Sequence, residues 1–332
     1  MRWLAILPAL LLAACGGAGG APASNPLASA SGATPAAKFK IAASQTSLSN
    51  AVLWLGRDEG LWTRRGLDLD LTGANASVAS KSLVAGQIDA TLVGGPEALA
   101  ARAAGAPVVV VAVLVPSYDH VFVTRAEVAS LDQLRGKTVG VSQVASLNGA
   151  GTIAGLRLVG LEAGTHYKLV ETGSNGAQQA LAAQLQSHNI DAAAFEPGPA
   201  QTIGATAGLH TLPNQAIADL PLASASFVFQ SNYVSSHSDA VQAAVQTLID
   251  TVAYAAGHKA ETEAALRKYF SISEQKALDD TYSDLTHAWA KKPAPAPEQF
   301  TPIVEALSRS APELKSVDLN SLLDPRFVQQ AK

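Results

Sequence analysis

Apolar and polar positions from Lys38 onward follow two patterns, one with a period of two residues and one with the spacing of a helix face. Alternation in "FKIAAS" and "LDLDLT" predicts half-buried strands, whereas "PVVVVAVLV" predicts a strand that is buried on both faces. Between these stretches, "SVASKSLVAG" and "PEALAARAAG" begin at a capping serine or a proline and end in glycine, as helices do. Strands separated by helices of this length predict an α/β fold with a parallel, doubly wound sheet.

The second half of the chain repeats a stretch of the first. "AGQIDATLVGGPEALAARAAGAP" and "SHNIDAAAFEPGPAQTIGATAGL" each contain a helix end, a small-residue strand opened by Ile-Asp-Ala, a loop with proline, and a helix that ends in glycine. Because such a repeat indicates two lobes of one type, we assign residues 38–121 to lobe one, 122–225 to lobe two, and 226–332 to a return to lobe one with C-terminal helices. Asp89 and Asp191, in the repeated Ile-Asp-Ala, are expected to serve turns or caps.

The first residues have the order of a secretory signal: a charged start, an apolar run shorter than a membrane span, and then small residues. The stretch "LAAC" resembles the bacterial lipoprotein signal, in which the cysteine is alkylated with a diacylglycerol and becomes the first residue of the mature chain. We therefore expect a signal peptide over 1–14, and a lipidated Cys15 with a flexible tether of small residues over 15–37. The alternative is an ordinary signal peptide with an incidental cysteine.

Composition and motifs narrow the function classes. The chain has 332 residues, a formal net charge of −4 and no basic patch, which argues against a nucleic-acid partner. Its single cysteine leaves no pair for a disulfide, so core packing must hold the fold. The sequence has no Gly-x-Ser-x-Gly elbow, no His-x-x-x-His pair and no paired-cysteine metal site. We therefore expect no catalytic residues, no metal and no cofactor.

Small polar residues and glycines occupy four strand-to-helix loops, two in each half of the chain. In open parallel sheets, ligands bind beyond the carboxyl ends of the strands, where helix N-termini present unpaired N–H groups. The candidate ligand-binding residues lie in these loops and in "PSYDHVF", where the chain would cross between the lobes. They are Ser44, Gln45, Thr46, Gly94, Gly95, Tyr118, His120, Ser142, Gln143, Ser146 and Glu196.

Each candidate also has a structural interpretation. The hydroxyl side chains can cap helices, the paired glycines can serve a tight turn, and the aromatic residues between the lobes can be packing residues. Glu196 can accept a hydrogen bond from an N–H or cationic group of a ligand, or it can close a hydrogen bond at a hinge. The sequence leaves both roles of Glu196 open.

Four stretches, "EGLWTRRGLDLDL", "LVAGQIDATLVGGPEALAARAAGAPVVVVA", "SLDQLRGKTVGVS" and "IDAAAFEPGPAQ", are similar to segments of one known family. From Lys38 to about Ser310 the chain resembles the periplasmic substrate-binding proteins of ABC importers, in the branch of sulfonate, taurine, nitrate and thiamine-pyrimidine binders. This resemblance implies a two-lobed periplasmic binding protein fold of type II, with the C-terminal helices packed on lobe one. It also implies a non-enzymatic monomer of the periplasm or cell surface, held on a bacterial membrane by its lipid, that serves an ABC permease and its ATPase.

The resemblance places the four loops in the family's ligand cleft and Glu196 at its acidic position. No Arg or Lys occurs in these loops, which disfavours a bare inorganic anion as the ligand. Among sulfonate, amine-bearing and heteroaromatic molecules, the last two fit Glu196 better. Two alternatives to import stay open: a ligand sensor, and an enzyme related to thiamine-pyrimidine synthesis, whose cysteine-rich motif is absent from this sequence.

Overall fold

The computed structural model describes residues 37–173 and 178–332. The predicted signal peptide, Cys15 and the tether except for Ala37 lie outside the described residues, and Ala37 is already the first residue of a strand. The described chain forms two five-stranded sheets flanked by helices, which confirms the predicted α/β class. The strands are β1 (Ala37–Ala43), β2 (Leu67–Gly73), β3 (Ala90–Val93), β4 (Val108–Ser117), β5 (Val121–Arg125), β6 (Thr138–Val141), β7 (Lys168–Glu171), β8 (Ala192–Phe195), β9 (Leu209–Leu212) and β10 (Pro221–Gln230).

The helices separate the strands in the first two thirds of the chain and then follow one another to its end. The α-helices are α1 (Ala51–Asp58), α2 (Leu61–Arg64), α3 (Ala76–Val84), α4 (Gly95–Ala103), α5 (Leu147–Leu158), α6 (Gln178–Gln186), α7 (Pro197–Gly204), α8 (Gln215–Ala218), α9 (Ser231–Ser236), α10 (Ser238–Gly257), α11 (Lys259–Phe270), α12 (Gln275–Ala288), α13 (Thr301–Leu307), α14 (Leu319–Leu322) and α15 (Arg326–Gln329). Short 3-10 helices occupy Leu48–Asn50, Leu131–Leu134, Pro297–Gln299 and Pro312–Ser316. Within the described ranges, no helix combines the length and the apolarity needed to span a membrane.

The two sheets have the same topology. Lobe one has the strand order β2-β1-β3-β10-β4, and lobe two has the order β7-β6-β8-β5-β9. In each sheet the fourth strand runs antiparallel to both of its neighbours, whereas the sequence predicts a wholly parallel sheet. Along the chain, β5 and β10 are the first strands that follow a crossing from the other lobe. The chain enters each sheet from the edge where its parallel strands end, so the entering strand must run in the opposite direction.

The two crossings lie side by side and are hydrogen-bonded. The N–H of Tyr118 donates to the carbonyl of Leu220 at 2.9 Å, and Ser224 Oγ donates to the carbonyl of Ser117 at 2.7 Å. The returning strand β10 already begins at Pro221, ahead of the predicted return at residue 226, because its small residues pair with β4. The division into lobes at 121/122 and 225/226 stays a prediction.

The repeated Ile-Asp-Ala has the same role in both lobes. Asp89 Oδ2 accepts a hydrogen bond from the N–H of Lys40, and Asp191 Oδ2 accepts one from the N–H of Thr138, both at 2.8 Å. Each aspartate thus joins the start of the central strand to the neighbouring strand. This structural role agrees with the prediction that neither aspartate serves a ligand.

The C-terminal helices pack mainly on lobe one, as the resemblance implies. Helices α10 and α11 contact α1, while α14 and α15 contact β4, whose Val108–Val115 are buried. Helix α13 also reaches the second lobe, because it packs against α5 as well as against β10. The C-terminal region therefore bridges the lobes on one side.

Candidate ligand-binding site

A cavity of about 170 Å³ lies between the two lobes, at the carboxyl ends of β1, β3, β6 and β8. All four predicted loops contribute to its lining. The predicted residues that line it are Ser44, Thr46, Gly94, His120, Ser142, Gln143, Ser146 and Glu196. The structure thus brings together side chains from both halves of the chain, and their role toward a ligand stays a prediction.

Three predicted residues lie outside this lining. Gln45 is exposed and turns toward Gly73, where a Cβ on the glycine would lie 2.9 Å from Gln45 Oε1. Gly95 is buried under Ile303, and the ring of Tyr118 is fully buried. Packing therefore accounts for Gly95 and Tyr118, whereas Gln45 is directed toward Gly73 and solvent.

In lobe one, the loop after β1 is held by its own side chains. Ser44 Oγ lies 2.7 Å from Thr46 Oγ1 and accepts a hydrogen bond from the N–H of Thr46 at 3.1 Å. The side-chain amide of Asn50 donates to the carbonyl of Ser44 at 2.9 Å. The two hydroxyls are therefore presented as a fixed pair beside the cavity.

In lobe two, Asn148 and Ser146 order the loop before α5. The side chain of Asn148 accepts from the N–H of Ser142 at 3.0 Å and donates to the carbonyl of Ala194 at 2.8 Å, which joins the loops after β6 and β8. Ser146 Oγ caps α5 by accepting from the N–H of Gly149 at 3.2 Å and lies 3.0 Å from Ser142 Oγ. Ser146 is thus both a helix cap and a cavity residue.

Glu196 forms hydrogen bonds across the cleft. Its carboxylate accepts from Gln178 Nε2 of lobe two at 3.0 Å, and from Ser47 Oγ and the N–H of Leu48 in lobe one at 3.4 Å each. Of the two roles that the sequence left undecided for Glu196, the structure shows the hydrogen bonds between the lobes. The residue also lines the cavity, where a ligand can reach it.

Burial of Glu196 raises the pKa of its carboxyl group above the usual range. The nearby His120 partly offsets this effect, and the negative charge of Asp119 adds to it. The ring of His120 stacks on that of Tyr118 with a centroid distance of 4.4 Å, and its Nδ1 lies 3.3 Å from Asp119 Oδ1. Tyr118 thus supports the His120 ring at the crossing instead of forming the cavity wall itself.

A second carboxylate in the cavity, that of Glu97, is absent from the sequence prediction. Glu97 lies in the first turn of α4, two residues after Gly95, and its Oε2 is buried without a hydrogen-bond partner. Burial raises the pKa of Glu97 to about 7. An acidic residue in the first turn of a helix is ordinarily explained by the helix dipole, so the sequence offers no signal for this second role.

The sequence prediction also lacks several polar lining residues, some beside the predicted loops and others at the start of α3, at the start of α6 and in β10. They are Ser47, Asn50, Asn75, Ser77, Asn148, Gln178 and Ser224. Among the residues that line the cavity, the charged side chains are those of Glu97 and Glu196, and no Lys or Arg is present. Groups of three or more metal-ligating side chains that could hold an ion do not occur in residues 37–173 and 178–332. The arrangement can therefore bind hydrogen-bond donors of a small molecule from two sides.

The family model described as NMT1/THI5 like matches residues 49–262. The chain belongs to this family. A search of curated protein sequences finds no significant match. Membership of the NMT1/THI5-like family confirms the resemblance that the sequence motifs indicate.

Solved structures similar to this NMT1/THI5-like chain include two-lobed binding proteins. The periplasmic aliphatic sulphonate binding protein SsuA from Escherichia coli matches with a TM-score of 0.70 and 20% identity over 88% of this chain and 93% of its own. A ligand-binding component of an ABC-type import system from Staphylococcus aureus, with zinc bound, has a TM-score of 0.70 and 15% identity over 89% and 99%. The alkanesulfonate-binding protein SsuA from Xanthomonas axonopodis pv. citri, bound to MOPS, has a TM-score of 0.65 and 17% identity over 87% and 95%. These likenesses confirm the periplasmic binding protein fold.

Proposed function

We propose that this chain is an extracytoplasmic solute-binding lipoprotein that captures a small organic molecule between its lobes and delivers it to an ABC importer. The observation that carries the proposal is the cavity between the lobes, lined by polar side chains from both of them. Family membership and the shared fold support the same role.

Closure of the cleft provides the mechanism. A ligand that contacts both lobes binds the closed form better than the open form and shifts the population toward it. The hydrogen bonds from Ser47 and Leu48 to Glu196 exist only while the lobes are together. They therefore stabilise the closed form whichever ligand is bound. A membrane permease with its ATPase then distinguishes the closed, loaded protein from the empty one.

Identification of a bound molecule tests this proposal. The protein should co-purify with a small molecule detectable by native mass spectrometry, and refolded, emptied protein should rebind it. At a concentration of about 100 times the dissociation constant, the molecule should stabilise the fold by about 2.7 kcal/mol. Chemical turnover of the molecule by the purified protein would contradict the proposal and favour an enzyme instead.

Substitution Glu196→Ala is expected to weaken ligand binding at least tenfold, because hydrogen bonds to a charged acceptor contribute about 1.5–3 kcal/mol. The difference in melting temperature between saturated and unliganded protein measures this effect, because the unliganded variant itself should melt below the wild type once three donors lose their acceptor. Glu162→Ala is the control, since Glu162 pairs with Arg157 at 2.9 Å and does not line the cavity. An equal loss of stability in the unliganded Glu196→Ala protein would assign Glu196 a structural role only.

Substitution Cys15→Ala is expected to release the protein from the membrane and to leave ligand binding intact. The physical reason is that the tether would then carry no acyl chains, and these supply the apolar contact with the bilayer. Membrane fractionation and detergent phase partitioning of the two proteins measure the change. A Cys15→Ala protein that stays in the membrane fraction would reduce Cys15 to an incidental residue of the signal peptide.

A further inference from the structure

The buried carboxylate oxygen of Glu97 indicates what kind of ligand the cavity accepts. Among the cavity-lining side chains of the described residues, only that of Glu97 has a buried polar atom, Oε2, without a hydrogen-bond partner. A buried acceptor without a donor destabilises the folded protein unless something else supplies the donor. Since Glu97 lines a cavity, a bound molecule can reach its carboxylate and supply the donor.

The charge of the site points in the same direction. Glu97 belongs to α4 of lobe one, and Glu196 stands at the start of α7 in lobe two. Among the lining residues that the structure describes, none is Lys or Arg, and His120 is the titratable side chain besides the two carboxylates. The two carboxylates therefore have no Lys or Arg partner within the site, and a ligand of positive charge would provide a cation.

The rest of the lining fits an organic cation and not a bare ion. Hydroxyl and amide groups surround the carboxylates, and Leu92, Val93, Leu147 and Leu181 provide apolar surface. Such a mixture contacts both a charged nitrogen group and a carbon skeleton. The solved sulfonate binders therefore share the fold with this chain, while its own cavity has the opposite charge requirement.

We propose that the cleft selects a small organic cation, with an ammonium or amidinium group that donates hydrogen bonds to the carboxylate of Glu97 in lobe one and to that of Glu196 in lobe two. This inference rests on the proposed function, because it names the ligand class of the same cleft. One positive group shared by two carboxylates would join the lobes. A ligand without that charge would leave Glu97 without a cationic partner.

Matched pairs of probes of opposite charge test the inference on the full chain. Phenethylamine and 3-phenylpropanoate form one pair, benzamidine and benzoate a second, and butylamine and butanesulfonate a third. Thermal shift and isothermal calorimetry at pH 7.5 should show binding of one or more cations and of none of the anions. Binding of an anionic probe, or of no probe in the set, would overturn the cation assignment.

The variant Glu97→Gln separates a ligand contact from a structural effect. It removes the charge, keeps the size of the side chain, and should lower the affinity for the best cationic probe at least tenfold while the unliganded protein folds normally. The matched control is Glu263→Gln, because Glu263 is also buried but lies near Lys259 and Arg267, outside the cavity. Unchanged cation affinity in Glu97→Gln would overturn the assignment.

Proton release gives a readout that a structural role would not produce. Burial raises the pKa of Glu97 to about 7, so the group is partly protonated in the empty site and ionises when a cation binds. Calorimetry of the cationic probe in buffers of different ionisation enthalpy should detect release of part of a proton near pH 7, and Glu97→Gln should reduce it. The remaining titratable groups of the lining are His120 and Glu196, and Glu196→Gln measures the share of the latter.

Failure of the inference and failure of the proposed function give different results. If an anionic or neutral molecule co-purifies and its binding closes the cleft, the solute-binding role stands and the cation assignment falls. If the purified protein converts a cationic probe into a product, the binding-protein role falls and the charge preference stands.

Discussion

Replacement of Gly149 by alanine is expected to destabilise the protein by about 3 kcal/mol or more, which is at the upper end for overpacking. A Cβ at this position would lie 2.2 Å from the carbonyl oxygen of Gln143 and 2.5 Å from that of Val144. Both atoms belong to the backbone of the loop that precedes α5, so no side-chain rotation can relieve the contact. Urea unfolding measures the loss, and the melting temperature should fall by about 5–10 °C.

The same substitution should also weaken ligand binding, because Gln143 and Ser146 of that loop line the cavity. The control is Gly257→Ala at the end of α10, where a Cβ would meet nothing within 4 Å. Alanine favours a helix over glycine by up to about 1 kcal/mol, so this control should be neutral or stabilising. Unfolding of the two variants at the same urea concentration would show that the close approach at Gly149 does not lower the free energy of unfolding.

The unliganded protein is expected to lose stability as the pH rises from 5 to 8, and Glu97 should account for much of this change. Its pKa is raised from 4.5 to about 7 in the folded protein, so the folded state binds a proton that the unfolded state releases between these values. The contribution is present at pH 4.5 and below, and it is lost as the pH approaches 7. With about 1.4 kcal/mol for each pKa unit, and allowing for solvent that reaches the cleft, the change is about 2–3 kcal/mol.

Urea unfolding of the wild type and of Glu97→Gln at intervals between pH 5 and 8 measures the contribution of Glu97 to the free energy of unfolding. The difference between the two curves isolates Glu97 from Glu196, whose pKa burial also raises. The variant should be the more stable protein at pH 8 and should lose that advantage at pH 5. Parallel curves over the whole range would show that Glu97 does not titrate in this window.

The repeat and the alternation of strands and helices were sufficient to predict two lobes of one type. They also placed Ser44, Ser142 and Glu196 at strand ends, and strand ends of a parallel sheet meet at one edge. The antiparallel direction of β5 and β10 did not follow from these patterns. It depends on the edge at which the chain enters each sheet, and a strand has the same apolar pattern in either direction.

Within the predicted loops, the sequence could not distinguish neighbouring positions. Thr46 lines the cavity and Gln45 does not, and His120 lines it while Tyr118 is buried beneath it. Adjacent side chains such as those of Gln45 and Thr46 point to different sides of an extended segment. Tyr118 and His120 stack on one another, and only the packed structure shows which of the two rings meets the cavity. Glu97 could not be predicted for a related reason, since only the packed structure shows that one oxygen of its carboxylate has no hydrogen-bond partner.

Gly95, at the start of α4, packs against Ile303 in the C-terminal region, and this contact connects the cavity to a distant helix. A Cβ on Gly95 would lie 2.6 Å from Ile303 Cδ1 and 3.0 Å from the Cβ of Ala223, so the first turn of α4 is wedged directly beneath α13. That turn carries Glu97. An exchange of Ile303 for a larger or smaller side chain would therefore tilt the carboxylate without altering any residue that meets the ligand. With the proposed function, we expect ligand selectivity to be adjustable from a helix that follows both lobes in sequence and does not line the cavity.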